Sequence, residues 1–222
     1  NIINKVLEEK ADIGIIFDGD GDRIGIIDEK GHPIRGDILT AIIAEQLLSE
    51  SKGNIIYDLR CSNIVPETII SKGGTPIKSR VGHYFIKKLM KEKDAIFAGE
   101  LSNHFYFKEI GGFEAPLLAL LYILKSIENN TLSNVADKYS KYYQSGELNF
   151  EVPDKYSKMN EILTNFSEGA VEKIDGISIY YKDWWLNVRP SNTESLLRVN
   201  IESSNQEILY ERIRDVKKIM NR

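Results

Sequence analysis

The sequence predicts an α/β chain: a layered α/β domain followed by a smaller α+β domain with an antiparallel sheet. Three observations predict it. Short apolar runs alternate with stretches of helical spacing between residues 37 and 128, the signature of strand–helix repeats around a parallel layer. Further on, three strand-like runs sit close together between two helical stretches, at 159–166 and 206–220. Between these regions the composition shifts, with Tyr and Lys crowding a polar helical stretch over 131–144, so the domain boundary is placed near residue 144.

Each element has its own warrant. Residues 2–9 have helical spacing, and 12–17 read as a buried, Ile-rich strand. A Gly/Asp loop leads to a second apolar run at 24–27, closed by the turn Asp28-Glu29-Lys30-Gly31. These first thirty or so residues are too few to fold alone. A helix follows over 37–50, with Asp37 suited to its first turn. Strand 54–58 precedes helix 64–72, which stops at Gly73-Gly74. Strand 75–78, helix 84–93, strands 95–98 and 104–107, and a long apolar helix over 114–128 complete the layer. Beyond the polar stretch come strand 148–152, helix 159–166, strands 177–181, 184–188 and 195–201, and helix 206–220. In that last helix Ile208, Leu209, Ile213, Val216 and Met220 share one face.

Composition narrows the function classes. The 222 residues are 42% hydrophobic and 28% charged, which argues against disorder. A net charge of −4 leaves no basic footprint for nucleic acid. No apolar stretch approaches the roughly 20 residues needed to cross a bilayer. The charged, amphipathic start does not resemble a signal peptide. One cysteine, Cys61, rules out an internal disulfide and fits a reducing, cytoplasmic setting. The first residue is Asn, so the expectation is a chain that begins inside a longer protein.

The segment Phe17-Asp18-Gly19-Asp20-Gly21-Asp22-Arg23 is the most informative. Three alternating carboxylates separated by glycines can converge on one point, where they repel unless a hard divalent cation joins them. Mg²⁺ suits few protein ligands plus a phosphate oxygen, and Arg23 could hold that phosphate. An EF-hand would also place Asp at these three positions, but its obligatory glycine falls on Arg23 and the flanks are strands, so it is rejected. Further on, Gly99-Glu100-Leu101-Ser102-Asn103-His104 places a carboxylate and a hydroxyl two apart, able to read vicinal hydroxyls. Arg80-Val81-Gly82-His83 opens a helix, and Asp58-Leu59-Arg60 ends a strand. Arg189-Pro190-Ser191-Asn192-Thr193-Glu194 offers a guanidinium fork and a run of side-chain donors, although a plain turn explains the same residues.

Asp-Gly-Asp-Gly-Asp-Arg after a strand resembles the metal loop of the α-D-phosphohexomutase family, and the other segments resemble that family's loops in the same order. Gly99–His104 is similar to its sugar loop Gly-Glu-Met-Ser-Gly-His, differing at Leu101 and Asn103; the second replaces a glycine, so a loop held differently is expected. The phosphate loop resembles Arg-x-Ser-Gly/Asn-Thr-Glu/Thr followed by a strand ending in Arg, here Arg198. The resemblance covers essentially the whole chain. It implies a remnant of domain 2 over 1–33, a mixed-sheet domain 3 over 34–143 and a domain 4 over 144–222. It implies Asp18, Asp20 and Asp22 as Mg²⁺ ligands, Arg23 and His83 in catalysis, and Arg60, Glu100, Ser102, His104, Arg189, Ser191, Asn192 and Thr193 on a hexose phosphate. The implied activity interconverts hexose 1- and 6-phosphates of mannose or glucose, of the phosphomannomutase/phosphoglucomutase type, through a 1,6-bisphosphate. It depends on a phosphoserine motif, Thr-Ala-Ser-His-Asn-Pro, that these residues lack. The chain is therefore expected to need the missing N-terminal domains as partner, with no turnover alone and no nucleic acid or membrane partner. A non-catalytic metal or sugar-phosphate module and a phosphoglucosamine mutase are the alternatives; the latter calls for Gln-Ser-Gly-His after the loop Glu.

Overall fold

A computed structural model describes residues 1–191 and 194–221. It divides into two compact units, Asn1–Lys141 and Tyr142–Arg222.

The first unit opens with helix α1 (Ile2–Glu9), capped by the Asn1 side chain on the Ile3 N–H. Strands β1 (Ile13–Phe17) and β2 (Ile24–Asp28) pair antiparallel with Phe17 opposite Ile24. The six residues between them, including all three loop aspartates, are therefore a hairpin loop. A short β3 (Pro33–Ile34) completes this three-stranded sheet. Val6 of α1 packs where a Cβ on Gly14 would lie. The expectation of a buried strand over 12–17 is corrected: only Gly14 is buried, and Ile13 and Ile15 are half-buried. Ile16 and Phe17 are exposed, because the strand has run past α1 toward the loop.

The second sheet has the order β5-β4-β6-β7-β8. Its strands β4 (Asn54–Asp58), β5 (Thr75–Ser79) and β6 (Phe97–Gly99) are parallel, while β7 (Phe105–Phe107) and β8 (Phe113–Glu114) run antiparallel at one side. The sheet is mixed, as the family resemblance implies, and not wholly parallel as strand–helix alternation alone suggests. Helices α2 (Gly36–Glu50), α3 (Ile64–Ser71), α4 (His83–Lys93), α5 (Pro116–Ser126) and α6 (Leu132–Asp137) surround it. Strand alternation sorts the faces. Ile56, Ala98 and Tyr106 pack with Ile86 and Met90 of α4. Phe97, Phe105 and Phe107 are fully buried and form a ring cluster that reaches Tyr122 of α5. Helix α2 is buried on nearly every side through its first three turns, which explains its lack of a polar stripe. Helix α3 ends as predicted: Gly73 takes φ +78°, and the Gly73 and Gly74 N–H groups donate to Ile70 and Ile69 carbonyls. The long helix expected from 114 begins two residues later, since Glu114 pairs in β8 and Pro116 suits the first helical position.

The second unit is one antiparallel sheet of order β10-β11-β12-β13-β9. Its elements are β9 (Tyr143–Glu151), α7 (Lys155–Asn165), β10 (Ala170–Glu172), β11 (Ile177–Tyr180), β12 (Trp184–Pro190), β13 (Leu196–Ser203) and α8 (Gln206–Met220). Ile179, Leu186, Val188, Leu197, Val199 and Ile201 meet Met159, Ile162, Leu209, Val216 and Met220 of the two helices in one core. Asp154 and Asn205 cap α7 and α8. The polar helix expected over 131–144 is cut short at Asp137, and the chain is already extended from Tyr143, where β9 joins β13.

Candidate functional site

In a parallel sheet the strand C-termini open onto one edge, where loops collect ligands. Three of the predicted loops leave the sheet this way: Asp58–Arg60 after β4, Arg80–His83 after β5, and Glu100–His104 after β6. The hairpin loop Asp18–Arg23 joins them from the other sheet. The Arg23 and His104 backbones form a β-bridge, and the Ile24 N–H donates to the Asn103 carbonyl at 3.4 Å.

Within the hairpin loop, Gly21 takes φ +73°, a turn that glycine makes without steric cost. One oxygen from each of Asp18, Asp20 and Asp22 lies within 4.8 Å of the others. Arg23 donates to Asp18 from both its Nε (2.6 Å to Oδ2) and its backbone N–H (3.2 Å to Oδ1). Those hydrogen bonds hold the Asp18 carboxyl well below the usual range, and Asp18 in turn raises the Arg23 guanidinium. The donor set is all carboxylate oxygen and partly exposed, a fit for a hard, still hydrated divalent cation such as Mg²⁺. A hollow of about 270 Å³ beside it is lined by Phe17, Asp18, Arg23, Ser102 and Asn103, so residues of both loops share one concavity.

His104 spans the two loops directly. Its Nε2 lies 3.3 Å from Asp22 Oδ2, while its Nδ1 lies 3.2 Å from Ser102 Oγ and 3.7 Å from Glu100 Oε1. Beneath it is a buried ionic network. Asp58, fully buried, accepts Arg60 N–H (2.7 Å) and Nε (3.0 Å) on Oδ1, and Arg60 Nη2 (2.8 Å) with the Leu101 N–H (2.8 Å) on Oδ2. One carboxylate thereby fixes both a cation and the loop backbone. Burial alone would raise the Asp58 carboxyl; the Arg60 charge and hydrogen bonds overcome it and lower it. Burial likewise opposes the Arg60 charge, and Asp58 restores it. Arg60 Nη2 then reaches Ser102 Oγ at 3.5 Å and Glu100 Oε2 at 3.8 Å. Glu100 itself is 2% exposed and accepts from the buried Tyr106 hydroxyl at 2.6 Å.

The expectation of a differently held loop at Asn103 meets a specific conformation. Asn103 sits at φ +67°, the left-handed region that glycine takes freely and that Asn tolerates better than most side chains. Ser102 and His104 on either side of it face the network.

Arg23, Arg60, Glu100, Ser102, His104 and the three aspartates are thus in one contact network. His83 is not: it is exposed in the first turn of α4, after Gly82 at φ +120°, with no hydrogen bond or ion pair to the network. In the second unit, Arg189 and Arg198 stand opposite one another on β12 and β13. Glu147 of β9 accepts from Arg189 at 2.8 Å and lies 3.4 Å from Arg198, which offsets their repulsion. The Ser191 N–H donates to the Leu196 carbonyl, and its Oγ accepts from the Glu194 N–H at 3.2 Å. Asn192 and Thr193 lie outside the described residues. Lys155, from α7, donates to the carbonyls of Ser191 (3.3 Å) and Glu194 (2.9 Å). Sequence reading missed Lys155, Glu147 and Tyr106. No spacing in the sequence links them to the loops.

The family model "Phosphoglucomutase/phosphomannomutase, alpha/beta/alpha domain III" matches residues 35–142, and that for the "C-terminal domain" matches residues 147–218. The chain is 57% identical to a phosphomannomutase of Methanocaldococcus jannaschii, over 99% of this chain and 50% of that protein. It superposes with TM-score 0.86 and 30% identity on a phosphoglucomutase/phosphomannomutase family protein of Burkholderia thailandensis, covering 98% of this chain and 48% of that one. An N-acetylphosphoglucosamine mutase of Aspergillus fumigatus, solved with GlcNAc-6P and magnesium, shares the fold at TM-score 0.65 and 15% identity, covering 93% of this chain and 48% of its own. The chain spans about half the length of the curated relatives it matches.

Proposed function

Since this chain belongs to the phosphoglucomutase/phosphomannomutase family, we propose that it is the C-terminal half of an intramolecular phosphotransferase acting on hexose phosphates. The reaction interconverts mannose or glucose 1- and 6-phosphates through a 1,6-bisphosphate, with a phosphoserine supplied by residues outside this chain. Phosphoryl transfer needs positioning and charge neutralisation above all. When bound by Asp18, Asp20 and Asp22, Mg²⁺ would supply charge neutralisation for a phosphoryl oxygen. Arg23, anchored by Asp18, would steady the phosphoserine region beside it. Glu100 and Ser102 accept and donate to sugar hydroxyls, Arg60 keeps a fixed positive charge beneath them, and His104 orders the hydroxyl-reading side chains. Arg189, Ser191, Asn192 and Thr193 hold a phosphate that is not reacting, and His83 serves as an exposed proton carrier or phosphate contact at a helix start. The reducing, cytoplasmic setting suits the single buried thiol of Cys61.

The observation that carries the reading is the 3.3 Å approach of His104 to Asp22. It joins the cation-binding and hydroxyl-reading loops, whose neighbourhood a phosphosugar enzyme requires. Two measurements test it. A coupled assay of the chain with mannose 1-phosphate, Mg²⁺ and catalytic hexose 1,6-bisphosphate is expected to show no turnover, and turnover would refute the assignment of the missing nucleophile. Mg²⁺ is expected to raise the unfolding temperature of the wild type and leave Asp20→Asn unchanged; equal shifts would remove the metal assignment.

A further inference from the structure

Strand β7 sends Phe105 and Phe107 to one face of the sheet and Tyr106 to the other, among Ile56, Ile86, Met90 and Ala98. A phenylalanine would fill that apolar position without bringing a hydroxyl out of water. The hydroxyl therefore answers to its partner. That partner is Glu100, which lies at the start of the loop that β6 and β7 enclose and whose N–H is closed onto the His104 carbonyl. Tyr106 donates to Oε1 at 2.6 Å. Oε2 is left with Arg60 at 3.8 Å, beyond hydrogen-bond distance, and Asp58 holds Arg60 by two side-chain hydrogen bonds that keep it from swinging closer. The Tyr106 ring has no freedom to follow a moving carboxylate. It is fully buried, with Lys87, itself paired to Glu114 at 2.6 Å, 5.9 Å above it.

We propose that Tyr106 is a positioning residue for sugar recognition: its hydroxyl locks Glu100 through Oε1 and leaves Oε2 as the acceptor for a ligand hydroxyl. The inference rests on the hexose-phosphate reading above and adds the element that makes Glu100 directional. A buried carboxylate free to rotate would accept hydroxyls from several directions and discriminate poorly. One oxygen committed to a rigid donor restricts the other to a single approach.

The test is calorimetric titration of the full chain with mannose 6-phosphate and, separately, inorganic phosphate. Tyr106→Phe is expected to weaken mannose 6-phosphate about tenfold, the loss of one charge-assisted hydrogen bond, and to leave inorganic phosphate unchanged. In a Glu100→Gln background the same substitution is expected to have almost no further effect, because the group that it orients is already altered. A packing role for the ring predicts otherwise: equal losses for both ligands, or an undiminished loss in the Glu100→Gln background, and either result overturns the proposal. The double-variant comparison stands even if Tyr106→Phe lowers the melting temperature, since both arms carry the same change. Wild-type protein that binds mannose 6-phosphate no better than inorganic phosphate would instead overturn the hexose-phosphate reading itself, and this inference with it.

Discussion

Single residues carry the site's electrostatics, and Asp58 is the most consequential of them. Removing its charge would take from the buried Arg60 its nearest counter-ion and both side-chain hydrogen bonds to it, leaving Glu100 at 3.8 Å. Asp58→Asn is therefore expected to destabilise the fold by about 3–5 kcal/mol, measured by chemical denaturation. The pH dependence has a definite sign. The folded-state carboxyl titrates below its unfolded value of about 3.9, so its stabilisation is full above that pH and is lost as pH falls toward the folded value. The wild type should lose stability on acidification below about pH 4, and Asp58→Asn should lose less over the same range; identical acid profiles would count against this account. Asn103 illustrates the limit of reading residues alone. In sequence it is a departure from a glycine, while in the fold it is one of three described non-glycine residues at positive φ, together with Lys10 and Asp94. The Asp18–Asp20–Asp22 spacing was legible because alternation and glycine are local; the Tyr106 donor was not, since it lies on a neighbouring strand.

At the scale of elements, close approach decides what the loops can do. Gly36 opens α2, and a Cβ there would meet the Glu100 carbonyl at 2.7 Å, the Leu101 carbonyl at 2.6 Å and Asn103 Oδ1 at 2.4 Å. Backbone atoms cannot yield as side-chain tips can. Gly36→Ala is expected to cost about 1–3 kcal/mol and to weaken hexose phosphate binding by displacing the loop, seen together in a denaturation curve and a titration. Unchanged binding would show that the loop does not depend on this contact. Periodicity made most elements readable: the last helix, the Gly73-Gly74 stop and the strands β4 to β6 follow from local pattern. The failures have local causes too. β3, β8 and β10 are two or three residues long, too short for period two to register. Tyr143 and Gln144, at the end of a polar stretch, read as helix until pairing with β13 claims them for the start of β9.

For the whole molecule, the two units have separate cores and separate sheets. Among the described residues, the 15 buried ones of the second core all lie between Val152 and Met220. A polypeptide of residues 142–221 is expected to fold cooperatively, with dispersed amide resonances and a single thermal transition; a featureless spectrum would mean that its core is insufficient alone. No helix among the described residues is long and apolar enough to cross a membrane.

By itself the sequence determined the α/β class, the order of most elements, the acidic loop and the family resemblance, because each is written in spacing, glycine placement or contiguous motif. Only the tertiary structure decided that His104 reaches Asp22, that Asp58 secures Arg60 and Leu101 together, and that Tyr106 takes one oxygen of Glu100. Those facts depend on which strands lie side by side and how far each loop reaches across them. Contacts between segments distant along a chain follow from the summed packing of the core, and no local pattern encodes them.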